Sequence, residues 1–85
     1  MEVLELQNLK KKDIPLHYRN EYSGTFILKS IKGQEKLDTE FVLERDAIGA
    51  ISISIHFLSH PDYPILPLTK KIKTFILDLE KAGKL

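Results

Sequence analysis

Hydrophobic and polar positions alternate cleanly in two places along this chain. Leu37, Thr39, Phe41 and Leu43 share one parity, and Ile51, Ile53, Ile55 and Phe57 repeat the pattern shortly afterwards. Side chains of an extended backbone point to opposite faces in turn, so each stretch predicts a strand with one buried face. These strands run from about Lys36 to Arg45 and from Ala50 to Phe57, with a turn at Asp46-Ala47-Ile48-Gly49 between them. A further strand is expected from Thr25 to Lys32, after a turn at Ser23-Gly24. It places Phe26 and Leu28 on one face and Ile27 and Ile31 on the other. Lys32-Gly33-Gln34-Glu35 supplies a hairpin loop with a glycine free to take positive φ. Three strands with short connections are most simply an antiparallel meander.

The two ends of the chain read differently. Val3, Leu6 and Leu9 recur every three residues, with acidic residues early and Lys10, Lys11 and Lys12 late, which suits a short N-terminal helix and its macrodipole. The competing reading is a strand over residues 2–6, from the alternation of Leu4 and Leu6. Pro15 holds Ile14 out of the α region, and Leu16 to Tyr22 reads as a helical turn or an irregular connection. Pro61, Pro64 and Pro67 make the stretch after Phe57 a stiff crossing loop. Leu68, Ile72, Phe75, Ile76, Leu79 and Ala82 then recur at helical spacing, from a start near Pro67 or Thr69 to a stop at Gly83. The expected fold class is α+β, a single small domain over residues 1–85. It is an antiparallel three- to four-stranded meander with the C-terminal amphipathic helix on the Leu37/Ile51 face and a short N-terminal helix.

Composition narrows the function classes. The 85 residues include no cysteine, which excludes disulfides and zinc–thiolate sites and leaves stability to packing and self-association. A net charge of +1 gives no global attraction to nucleic acid or anionic membranes. No apolar run approaches a membrane span, and Glu2 and Glu5 stand where a leader would be basic, so a soluble cytoplasmic protein is expected.

Catalysis finds little support. The chain has no glycine-flanked serine elbow and no phosphate-cradling glycine loop. Ser59, His60 and Asp62 are the residue types of a triad, but near-adjacent positions cannot adopt its geometry. His56, His60 and Asp62, with His17 as a distant fourth ligand, have the donor types of a zinc or nickel site without a motif to position them. The expectation is a non-enzymatic domain without metal or cofactor.

Two surfaces are candidates for binding. The second face of the meander holds Ile27, Val42, Ser52 and Ser54, small and apolar enough for something to pack closely. A covering N-terminal helix, a dimer interface or a partner protein would each account for it. On the outside of the last helix, Lys70, Lys73, Lys81 and Lys84 fall together around Leu77, a stripe that suits an acidic partner or plain solvation. If Lys10, Lys11 and Lys12 lie on the same side, the combined patch becomes a nucleic-acid footprint.

Ile55-His56-Phe57 followed by Tyr63-Pro64 and Pro67 resembles the equivalent stretch of ubiquitin-conjugating enzymes and the related RWD domains, over roughly residues 25–67. In that family the tyrosine-proline turn leads off the sheet after the third strand. The chain departs from the pattern in lacking a cysteine, which excludes conjugation chemistry, and in placing a helix after Pro67 where a fourth strand is expected. The resemblance implies an adaptor role. The leading expectation is a small protein-binding or regulatory domain acting through a partner or self-association, and the alternative is a nucleic-acid binder.

Overall fold

Alternation of buried and exposed positions sets the sheet. In a computed structural model describing residues 1–85, β1 (Glu2–Lys11), β2 (Arg19–Ser30), β3 (Gly33–Arg45) and β4 (Ile51–Phe57) form one antiparallel sheet in the order β1-β2-β3-β4. Helix α1 (Ile65–Lys81) lies across one face. The expected meander is therefore present with four strands. The helix directly after the proline loop is present too.

The expected N-terminal helix is not formed; residues 2–11 are β1. The three-residue spacing that suggested a helix comes from irregular pairing. Val3 faces Leu28 and Leu6 faces Phe26, so β1 spends one residue more than β2 over that interval. A second extra residue lies between Gln7 and Lys10, where Asn8 takes φ of 55°. Each extra residue is a β-bulge, which returns a side chain to the same face after three steps instead of two.

The expected turn at Ser23-Gly24 is also absent, because β2 runs straight through it from Arg19. Gly24 is there for space: a Cβ on it would come within 2.7 Å of Leu6 Cδ1 and 3.2 Å of the Gln7 carbonyl oxygen. The β2–β3 hairpin turns on Ile31 and Lys32, with Ser30 paired to Gly33 at φ of 110°. Ile31 thus sits fully exposed at the tip and not on a sheet face. The turn after β3 is as expected. The Asp46 carboxylate accepts from the Ile48 and Ala50 amides, and Gly49 takes φ of 86°.

Packing follows from the helix period. Leu68, Ile72 and Ile76 are fully buried against Tyr22, Phe26, Leu28, Leu37, Phe41 and Leu43. Tyr22 stacks on Phe41 with ring centroids 5.1 Å apart, and Phe75 meets Phe26 edge-on at 6.1 Å. Thr39, the polar member of the β3 row, is buried and donates its hydroxyl to the Leu37 carbonyl. Pro67 falls in the first turn of α1, where its missing N–H would have had no partner. Gly83, at φ of 70°, closes the helix with Gly83 N–H to Glu80 O and Lys84 N–H to Leu79 O, a Schellman pair. Arg45 at the end of β3 pairs with Glu80 near the helix C-terminus.

Candidate functional site

The two edges of this sheet are built differently. β1, at one edge, has ten residues of which Glu2, Glu5, Lys10 and Lys11 are charged, and it carries both bulges. Charges and bulges keep a foreign strand from adding to an edge. β4, at the other, has seven residues with no charge, proline or register shift. The uncharged stretch is longer still. Positions 47–61 contain no Lys, Arg, Asp or Glu in a chain where 29% of residues are charged.

The ladder fixes which β4 backbone groups are used. Asp46 N–H bonds Ala50 O and Leu58 N–H bonds Asp38 O, each at 3.0 Å, one at either end of the β3–β4 pairing. Antiparallel pairs alternate between bonded and non-bonded, so Ser52, Ser54 and His56 exchange hydrogen bonds with β3. The N–H and C=O groups of Ile51, Ile53, Ile55 and Phe57 point outward and have no strand to meet. Their side chains lie on the helix face, but α1 sits over β2 and β3 and leaves all four half-exposed. Alongside them runs a groove bordered by Ile55, Phe57, Leu58, Pro61 and Ile65. Leu58 and Ile65 are 53% and 50% exposed, and Leu66 on the first turn of α1 is 77% exposed.

The opposite sheet face is open, since β1 extends the sheet and does not cover it. It is a charged face in the main. Arg19 bonds Glu21 and Glu44 at 3.1 and 2.8 Å, Lys12 reaches Glu40 at 3.6 Å, and Thr25 donates to Asp38 at 2.7 Å. The hydrogen bond from Glu21, with the Glu44 charge, holds the Arg19 pKa above its ordinary value against a smaller opposing effect of burial. Ile27 is buried there, in register between Glu5 and Lys36. Val42 is half-buried between Glu21 and Ser54, while Ser52 and Ser54 are exposed on β4.

Leu77 is half-buried on α1, with Lys70, Lys73, Lys81 and Lys84 exposed around the helix exterior. Lys12 pairs with Glu21 and Glu40 of the open sheet face, and Lys10 is in register with Ser23 on that face. Helix lysines and N-terminal lysines therefore lie on opposite sides of the sheet and do not form one patch. Asp62 turns to Lys32 at 3.6 Å, His56 and His60 border the β4 groove, and His17 lies in the β1–β2 connection beside Lys11 and Lys12. These four do not converge, and the fold gathers no group of three metal-ligating side chains.

Reading the Ile51, Ile53, Ile55 and Phe57 row as wholly helix-covered core missed its part in the surface. The signal that could have revealed it is the charge-free run from 47 to 61. No helix is long and apolar enough to cross a membrane. Neither the curated proteins nor the solved structures contain a match to this chain. One family model does match, over residues 1–81 and so across all four strands and the helix, and the chain belongs to the BB_0187 family.

Proposed function

We propose that this chain is a small non-enzymatic protein-binding domain that works through the β4 edge. The observation that supports it is the asymmetry of the sheet. One edge is bulged and charged, and the other offers seven uncharged residues with outward backbone groups and an apolar groove beside them. An edge of that kind binds polypeptide by adding a strand, with main-chain bonds for affinity and the flanking row for selectivity. The separation of the two lysine groups favours a protein partner over nucleic acid. The adaptor role implied by the RWD resemblance is one form of such binding.

The test is cross-linking in cells of the tagged chain and of the Ser52→Lys/Ser54→Lys double variant. Both positions are exposed, so the variant retains the fold, which circular dichroism checks. The wild type should give cross-linked species containing protein, and the variant should lose them. An identical pattern from both chains, or no cross-linked species from the wild type, would overturn the reading.

A further inference from the structure

We infer that the occupant of the β4 edge is β4 of a second copy of this chain, paired antiparallel about a two-fold axis through Ser54. The inference rests on the reading of β4 as a binding edge and adds its partner. Three features of the strand lead to a copy of itself.

The first is register. The outward N–H and C=O groups belong to Ile51, Ile53, Ile55 and Phe57, so bonded pairs across the axis must join odd positions to odd positions. Centring the axis on Ser54 pairs Ile51 with the second copy's Phe57, and Ile53 with its Ile55. Every outward group of the strand then finds a partner, giving about eight backbone hydrogen bonds. The second is surface chemistry. An axis perpendicular to the sheet keeps both helices on one face, so the half-exposed Ile51, Ile53, Ile55 and Phe57 rows of the two chains become one apolar strip. On the other face Ser52 meets His56 and Ser54 meets Ser54, which buries no charge. The third is the absence of any obstacle. The edge lacks the lysines, prolines and bulges with which β1 resists pairing.

The geometry makes Ser54 diagnostic. It becomes a non-bonded pair with its own copy, with Cα atoms about 4.5 Å apart, inside the range a disulfide spans. Ser52 lies four residues from its own copy along the strands, about 13 Å away and beyond disulfide reach. The chain has no cysteine of its own, so Ser54→Cys and Ser52→Cys are each single-cysteine proteins.

Under mild oxidation Ser54→Cys should convert to a covalent species of twice the 9.8 kDa chain mass, while Ser52→Cys stays at background. Light scattering on the untreated wild type should show the same doubled mass, and Ser54→Lys, which sets two like charges face to face, should return it to a single chain. Equal cross-linking of the two cysteine variants, or a wild type of single-chain mass at every concentration, overturns the inference. Loss of hetero-protein cross-links in the Ser52→Lys/Ser54→Lys variant would then still support protein binding by β4, whereas their persistence would remove that reading as well.

Discussion

Gly24→Ala tests the element least expected from the sequence, the N-terminal strand. The new Cβ would sit 2.7 Å from Leu6 Cδ1 and 3.2 Å from the Gln7 carbonyl oxygen. Leu6 can turn its methyl aside only by leaving the core it packs against, and Gln7 is held in the β1–β2 ladder opposite Thr25. Overpacking of this kind costs about 1–3 kcal/mol, while replacing a strand glycine by alanine returns about 0.5–1 kcal/mol. The net is a loss of about 1 kcal/mol, or about 4–8 °C in Tm for a domain this small. In a Leu6→Ala background the nearest obstacle is gone, and the same substitution should be neutral or slightly stabilising. Thermal melts of the four proteins in this cycle give the coupling between positions 6 and 24 directly. Equal effects of Gly24→Ala in both backgrounds, or stabilisation of the wild type, would refute the placement of Leu6 over Gly24.

Two further predictions bear on the core. Ile72→Ala removes a fully buried side chain and should cost about 2–5 kcal/mol, whereas Ile53→Ala on the half-exposed β4 row should cost clearly less in the isolated chain; urea titrations compare them. Burial in the core, with a smaller contribution from Glu80, raises the Tyr22 phenol above its ordinary 10.0. The unfolded chain then loses that proton first, so stability falls as pH climbs past 10.0, and the decline ends only above the folded pKa. Tyr22→Phe lacks this component, and its Tm should fall less steeply than the wild type's between neutral and strongly alkaline pH.

What could be read beforehand is what depends on local pattern. The β3 and β4 alternations, the Asp46–Gly49 turn and the Leu68–Gly83 helix are each set by neighbours a few residues apart, and all are present. The misreadings come from contacts across the sheet. Gly24 is a strand residue because Leu6 crosses it, and the Val3–Leu6 spacing is strand-like because a bulge absorbs one residue. Neither fact exists until β1 lies beside β2. The candidate site follows the same logic. The uncharged run of residues 47–61 is visible in the chain, but its lying at a free edge depends on β1 adding to β2 and not covering a face. Val42, Ser52 and Ser54 do share the open face, as their parity requires, among charged neighbours contributed by β2 and β3.

Amide hydrogen exchange along β4, measured at high and low protein concentration, tests the central claim most directly. Ser52, Ser54 and His56 bond to β3 and should be protected at both concentrations. Ile51, Ile53, Ile55 and Phe57 point outward and should be protected only when the chain is concentrated enough to pair, which gives an alternating pattern that appears on dilution. If those four amides exchange rapidly at every concentration, β4 does not pair with its own copy and the account is contradicted.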